Sequence, residues 1–439
     1  RERCIMCYRC VRFQDEVAGD QALSAIDRGG QSQIGVLEGE TFDSPFSGNT
    51  VDICPVGALL SRQYRFQARP WDLVRTPSVC TGCAVGCNVE LHSRRDTLLR
   101  MVPRENMAVN NEWLCDFGRF DTLPLGIERL TTPMVGGQPA AWETAVRAAA
   151  ALLTGQGAGS NGSHGSRSDI EIVASPALTT EALDVLRSLA SGLGASLSVW
   201  PARTGRVRGT ITGLVQSRTI ILMDFDVWRE LPVLALRLRE ALRAGGRLYF
   251  VGTGPNGLQR DTAATFATAD ELLETVGQSL LGPVSIVGPG AEQLAERLEA
   301  TGMVGLPATA ANGWTMHHLP AARFDAPLLL LAGNENWPVP DSKRTISLRW
   351  SPSQHSALST QHSDLSTQDS ALRTQDSVLL PIAHPYEQSG TVTNLDGHEQ
   401  RLQAGARAPA GVHPDWIALT ELARAVGLAP DGQEARHTV

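Results

Sequence analysis

Eight cysteines constrain this chain more than any other feature, because all of them fall within the first 115 of 439 residues and they fall in two runs. Cys4, Cys7 and Cys10 lie in Cys-Ile-Met-Cys-Tyr-Arg-Cys, and Cys54 follows at the head of Cys-Pro-Val-Gly-Ala-Leu. Cys80, Cys83 and Cys87 lie in Cys-Thr-Gly-Cys-Ala-Val-Gly-Cys, and Cys115 follows in Trp-Leu-Cys-Asp-Phe-Gly-Arg-Phe. None is left over. Two sets of three-plus-one thiols is the arithmetic of two 4Fe-4S clusters: three closely spaced thiolates cap three irons of a cubane and a distant fourth caps the last. Pro55, directly after Cys54, keeps that position out of a helix and is also a habit of bacterial ferredoxin runs. Structural zinc takes ligands as pair plus pair, and neither run is built that way. Disulfides fit less well still, since thiols this close together cannot all pair at good geometry.

The rest of the composition excludes more than it assigns. A net charge of −8 and a pI near 5.7 give no footprint for nucleic acid or an anionic membrane face. The longest apolar run, Ala-Pro-Leu-Leu-Leu-Leu-Ala-Gly from Ala326, falls far short of the ~18–20 residues of a membrane span. Cluster thiolates without a disulfide surplus suit a reducing, cytoplasmic compartment. The chain starts without methionine, a short step before its first ligand run, which reads as an incomplete N-terminus.

Along the chain, Val11–Val17 is spaced as a short amphipathic helix ending near Gly19, and Ala25–Val36 as a hairpin turning at Gly29-Gly30. A small α+β insert therefore separates the third and fourth cysteines of the first run. Trp71–Thr76, bracketed by Pro70 and Pro77, reads as extended. Asn88–His92 and Thr97–Val102 read as strands, and Asn110–Leu114 returns the chain to Cys115. Gly82 and Gly86 allow close backbone approach to sulfur.

From about residue 125 the pattern becomes alternating strands and helices. Strands are expected at Ile170–Ala174, Ser196–Trp200, Thr219–Met223, Leu248–Val251, Val284–Val287, Leu328–Leu331 and Val378–Pro381. Helices are expected at Trp142–Leu153, Thr180–Gly192, Leu231–Ala244, Glu271–Leu281 and Ala291–Ala300. This predicts βαβ units and mostly parallel sheets. Gly155–Asp169 reads as a loop. Residues 351–377 hold a period-seven repeat, Ser-Ala-Leu-Ser-Thr-Gln-His and its variants, with one leucine per repeat; that is too few for a coiled coil, so it reads as a low-complexity insertion. The expected domains are 1–70, 73–129 and 130–439.

Other motifs carry little. Gly252-Thr-Gly254-Pro-Asn-Gly257 matches G-x-G-x-x-G after a strand, with Asp270 near the ribose position, but Pro255 sits inside it and no helix opens after it. Val287-Gly-Pro-Gly290 has the same standing. His92 reads as an ordinary strand residue, and His317, His318, His355, His362 and His384 show no metal spacing.

Several stretches together resemble a known family, the NADH-quinone oxidoreductase G subunits, the large iron–sulfur subunits of the peripheral arm of bacterial complex I. They are Arg-Cys-Ile-Met-Cys-Tyr-Arg-Cys-Val-Arg-Phe, Gly48-Asn-Thr-Val-Asp-Ile-Cys-Pro-Val-Gly-Ala-Leu, Ala68-Arg-Pro-Trp-Asp-Leu, Thr76 through Val89, and Leu114-Cys-Asp-Phe-Gly-Arg-Phe. Beyond residue 120 the likeness is to the molybdopterin-oxidoreductase fold, carried by Leu231–Leu242 and Gly390–Gln400. The resemblance implies an α/β architecture of small iron–sulfur domains followed by a molybdopterin-oxidoreductase-like domain without molybdopterin. It also implies clusters on Cys4, Cys7, Cys10 and Cys54 and on Cys80, Cys83, Cys87 and Cys115.

By that resemblance the first cluster carries electrons from NADH, oxidised on a partner flavoprotein subunit, towards quinone-side iron–sulfur subunits, while the second lies off the main route. The site would be peripheral, on the cytoplasmic side of the inner membrane. The family's 2Fe-2S centre, and its 4Fe-4S centre held by one histidine and three cysteines, would precede residue 1 and have no ligands here. The alternative is a molybdenum- or tungsten-pterin oxidoreductase such as an NAD-linked formate dehydrogenase. Those enzymes carry a lysine two residues after the fourth cysteine, where this chain has Phe117. A third class, a metal-folded scaffold without redox function, predicts redox-inert sites.

Overall fold

Near-continuous apolar runs such as Leu328–Ala332 and Val284–Val287 have every residue buried, as strands covered on both faces must. They are central strands of two mostly parallel sheets. The computed structural model describes residues 3–36, 39, 41–155, 170–200, 207–305, 307, 312, 316, 318–333, 337–339, 343–351 and 377–428. Most of the expected 155–169 loop, nearly all of the 351–377 insertion, and His317, His355 and His362 lie outside them. The chain divides into two compact units, one of Arg1–Leu123, Gly205–Trp314 and Asn394–His398, the other of Pro124–Thr204, Thr315–Thr393 and Glu399–Val439. The α/β residues after 130 are thus shared between them.

In the first unit, the Arg9–Arg12 helix runs on into a π-helical turn, Phe13–Ala18, that stops at Gly19 in the left-handed region (φ 77°). A side chain at Gly19 would collide with Arg239, whose Nε donates to the Val17 carbonyl (3.1 Å). Arg243 donates to the Glu16 carbonyl (2.7 Å), so two cations meet the C-terminal carbonyls of the turn, where they stabilise it. The expected hairpin forms, Leu23–Ile26 pairing antiparallel with Gln33–Val36. A helix follows at Ser47–Ile53 and delivers Cys54.

The extended reading of Trp71–Thr76 holds only from Val74, because Pro70 opens a 3-10 turn over Pro70–Asp72. Val74–Val79, Asn88–Arg94 and Thr97–Pro103 then make an antiparallel sheet. This unit also holds a six-stranded sheet in the order 207–208, 304–305, 284–287, 219–223, 247–251, 262–266, parallel except at the first pair. Its core gathers Ile221, Tyr249, Phe266, Ile286 and Leu294. The expected helix at Glu271–Leu281 is shorter, Ala269–Val276, since Thr268 caps its start and the chain tightens to a 3-10 turn from Gly277.

In the second unit, seven strands are ordered 138–139, 134–135, 378–381, 344–349, 328–332, 170–174, 196–199. All pairs among the last five are parallel. The Trp142–Thr154, Thr180–Leu193 and Asp415–Ala425 helices pack with this sheet in one core. Asp415 fixes the helix start at Thr179 by accepting from its amide (3.0 Å) and hydroxyl (2.9 Å). Among the described residues, no helix is long and apolar enough to cross a membrane.

Candidate metal centres

Both thiol sets belong to the first unit, and the structure gathers each. In the first run, Met6 (φ 55°) and Tyr8 (φ 60°) adopt left-handed conformations between the cysteines. Side chains rarely tolerate this, and such strain clusters at functional sites. These turns bring the run back on itself, and Cys4, Cys7, Cys10 and Cys54 all line one cavity of about 260 Å³. Its other walls include Ile34, Pro55, Val56 and Leu59. The Met6 amide donates to the Cys4 sulfur (3.4 Å). Cys7 is exposed and the other three are half-buried.

The electrostatics of the first set are mixed. Burial raises the Cys10 thiol, with the neighbouring thiols adding to the effect. Burial also acts to raise Cys54, but the amides of Val56, Leu59, Ala58 and Gly57 together outweigh it, so its pKa lies below the ordinary thiol value. The Cys-Pro-Val-Gly-Ala-Leu stretch, with Gly57 left-handed at φ 62°, thus wraps a ring of donors round one sulfur.

The second set is different in kind. Cys80, Cys83 and Cys87 occupy the turn between the Val74–Val79 and Asn88–Arg94 strands, where the Cys80 amide donates to the Cys87 carbonyl (2.8 Å). Asn110, fully buried, accepts from the Asn88 amide (2.9 Å) and donates to the Trp113 carbonyl (3.1 Å), which aims the returning chain at Cys115. All four thiols are buried. The Gly82 amide points at the Cys80 sulfur (3.5 Å) and the Gly118 amide at that of Cys115 (3.4 Å). Gly118 lies so close that a Cβ there would sit 2.9 Å from the Cys80 sulfur and 3.6 Å from that of Cys115.

Burial, reinforced by Cys80, pushes the Cys83 thiol up to about 12. Burial and the other thiols raise Cys87 and Cys115 well above the usual range. Three thiols pushed up in this way, with Cys80 beside them in a dry pocket, are a donor set that needs a cation to become thiolates. The tip of a hairpin is pinned beside the site: the Leu395 amide donates to the Ala84 carbonyl (2.7 Å), and Asp396 accepts from the Ile211 amide (3.1 Å). Burial lifts the Asp396 carboxyl to about 6.

Among the described residues, no three His, Cys, Asp or Glu side chains close on a single-ion site. The first set surrounds a volume rather than a point, which suits a multi-iron cluster better than one zinc ion.

The other motifs sort plainly. Gly252-Thr-Gly-Pro-Asn-Gly257 is a turn, followed by a 3-10 turn at Gln259–Asp261 and a strand rather than a helix, and Asp270 pairs with Arg297 (2.8 Å). Gly288 is left-handed (φ 132°) where a side chain would strike the Met223 carbonyl. His92 sits in its strand, accepting from Arg100 (3.0 Å) and facing Glu90 (3.2 Å). His384 is buried in the second unit, where desolvation pushes its pKa down to about 3.

Sequence reasoning did not find the residues that tie the two sets together. Asn49 clamps Leu114, donating to its carbonyl (2.9 Å) and accepting from its amide (3.2 Å). Asp116 accepts from the Gly48 amide (2.8 Å) and the Ser47 hydroxyl. Arg119, its side chain 6% exposed, is ion-paired with Asp52. Their signal was present, in the Gly48-Asn-Thr-Val-Asp and Cys-Asp-Phe-Gly-Arg runs beside the fourth cysteines, but polar residues alone do not name their partners.

Comparison with known proteins follows the same division. Residues 1–60 match the family model described as NADH-quinone oxidoreductase subunit 3, ferredoxin-like domain. Residues 73–122 match that described as NADH-ubiquinone oxidoreductase NDSU1/NuoG-like, 4Fe-4S domain. The chain is 36% identical over 332 residues to the G subunit of NADH-quinone oxidoreductase from Streptomyces coelicolor, covering 69% of this chain and 39% of that protein. It is 28% identical over 461 residues to the G subunit from Rickettsia felis, covering 94% and 65%. The chain therefore spans less than two thirds of either relative's length. In fold it is similar to acetylene hydratase from Pelobacter acetylenicus, with a TM-score of 0.52 and 11% identity over 80% of this chain and 69% of that one. The mostly parallel α/β architecture expected from the sequence is the one observed.

Proposed function

We propose that this relative of the NADH-quinone oxidoreductase G subunits is an electron-relay chain, passing electrons that originate in NADH towards quinone. The observation that carries the reading is that each of the two matched regions gathers its own four cysteines: Cys4, Cys7, Cys10 and Cys54 in one, Cys80, Cys83, Cys87 and Cys115 in the other. These residues would hold two 4Fe-4S clusters, with no molybdopterin, in domains at 1–70 and 73–129 ahead of an α/β region at 130–439. Bound there, such a group supplies one-electron oxidation and reduction without proton uptake.

The chain's part is to hold, shield and bias. Amides of Val56, Gly57, Ala58 and Leu59 stabilise negative charge on the Cys54 sulfur, and those of Gly82 and Gly118 do the same for Cys80 and Cys115. Burial of the second set excludes water. The exposure of Cys7, with Ile5 and Tyr8 beside it, leaves the first set within reach of a neighbouring redox protein. The first set is accordingly the one on the electron route, between a flavoprotein subunit that oxidises NADH and iron–sulfur subunits on the quinone side. The second serves structure or lies off the route. The assembly would sit peripherally on the cytoplasmic side of the inner membrane.

The test is metal analysis and low-temperature EPR of the anaerobically purified, dithionite-reduced chain. About eight irons per chain and two 4Fe-4S signals are expected. Stoichiometric molybdenum or tungsten would replace this reading with a pterin-dependent oxidoreductase. Zinc in place of iron, or redox-inert sites, would leave only the metal-folded scaffold.

A further inference from the structure

The two thiol sets are joined by one ion pair, its Arg119 end buried and its Asp52 end open to solvent, and its position gives it an electrostatic role. Asp52 lies two residues before Cys54, so its Cα is within about 7 Å of that ligand's Cα. Arg119 lies four residues after Cys115, and its amide donates to the Cys115 carbonyl (3.0 Å), closing one helical turn that leads into the Phe117–Asp121 π-helix. The Arg119 guanidinium donates to the Asp52 carboxylate, to Asn49 Oδ1 (3.3 Å) and to the Met101 carbonyl (3.4 Å). One charged pair thus stands beside the fourth cysteine of both sets.

Burying the Arg119 guanidinium is costly, and the pair is not needed to fasten the two segments. Asn49 on Leu114 and Asp116 on Ser47 and Gly48 already do that with hydrogen bonds. What the pair adds is charge, least screened at its buried Arg119 end. The cavity beside it, lined by Asp52, Tyr64, Arg100 and Arg119, is about 20 Å³, room for a single water. Arg100 also faces Asp52 and Arg119, and stacks over the Tyr64 ring at 4.1 Å.

We propose that Arg119 and Asp52 act as positioning residues that set the reduction potentials of both sites together; this rests on the iron–sulfur reading above. Each site gains one electron and no proton on reduction, so a nearby positive charge favours the reduced form and a negative charge opposes it. Within the native pair the two effects largely cancel. Removing one partner exposes the other, and both sites must respond with the same sign.

The experiment is an EPR-monitored potentiometric titration of the iron-loaded chain and its variants. Arg119→Gln, which leaves the Asp52 carboxylate uncompensated, lowers both midpoints. Asp52→Asn raises both. The double variant returns both most of the way to wild type. Arg119→Lys keeps the charge and stays near wild type, and with Asp52→Asn it decides the matter if Arg119→Gln loses a cluster. Single variants that move the midpoints in the same direction, move only one site, or leave both signals unmoved overturn the proposal, because a merely structural link has no sign. A wild-type chain with no iron–sulfur signal would instead sink the relay reading itself.

Discussion

The two thiol sets have the same donor count and opposite surroundings. The first is half open, with Cys7 exposed and a cavity of about 260 Å³ inside it; the second is sealed, with all four cysteines buried and the Asn394–His398 tip pinned to Ala84 beside them. In the first, the chain supplies donors, aiming four amides at Cys54. In the second it excludes water, and the thiols resist ionisation as a result. The difference teaches that ligand spacing alone does not determine what a site is for. An accessible site can exchange electrons with a neighbour, whereas a sealed one keeps a constant environment and contributes to folding.

The largest test of that contrast is Gly118→Ala. Its Cβ would meet the Cys80 sulfur at 2.9 Å and Leu114 at 3.2 Å, in a pocket with no slack. Iron content is expected to fall by about half, with the second EPR signal lost and the first kept. Retention of both signals would mean the second site is looser than its burial implies.

Chelation should separate the sites by rate. Iron is expected to leave the first set about tenfold faster or more, because the second must open locally before a chelator can enter. EPR amplitudes followed through a chelator time course measure the ratio, and equal rates would erase the distinction.

Alkylation of the iron-free chain sharpens it by pH. The thiolate is the reacting form, so a lowered pKa brings Cys54 into reaction at a pH below that of an ordinary thiol. Cys83 should stay unmodified until the pH nears about 12 or the chain unfolds. Mass spectrometry of the labelled peptides reads both.

The smallest effect concerns the hairpin tip. The Asp396 carboxyl titrates at about 6 when folded against about 3.9 when unfolded. The raised value means its contribution to stability is full below about pH 4 and is lost as pH rises through about 6. Asp396→Asn, which keeps an acceptor for the Ile211 amide, should remove this dependence. The variant is expected to gain about 1–2 kcal/mol over wild type by pH 8, after discounting for partial exposure. Hydrogen exchange at the Ala84–Cys87 amides between pH 5 and 8 measures it.

Much of this was legible in the residues. Cysteine spacing is a covalent fact, and the structure brings each run of three together with its distant fourth. The strands at Ile170–Ala174, Thr219–Met223, Val284–Val287 and Val378–Pro381 fall where apolar runs place them, because buried strands advertise themselves. The Ser47–Ile53 helix was not legible: Ser-Gly-Asn-Thr carries no apolar period, and it is held by Asn49 and Asp116 instead of by propensity. The Arg119–Asp52 pair spans 67 positions, so nothing local announces it. Nor could periodicity tell that Leu328–Ala332 pairs with Ile170–Ala174 while Thr219–Met223 joins a different sheet. Those are long-range choices, settled by which faces can be buried together.

The hairpin tip pinned to Ala84, beside the second site, also bears on biosynthesis. Translation produces Ala84 early, and Leu395 only after every strand of the six-stranded sheet has been made and the chain has twice left the first unit for the second. A nascent chain can present Cys80, Cys83, Cys87 and Cys115 as soon as they emerge, but it cannot make the Leu395–Ala84 hydrogen bond until residues 394–398 arrive. On the reading proposed above, a cluster entering the second set would meet all four thiols before the Leu395–Ala84 hydrogen bond beside Cys83 can form.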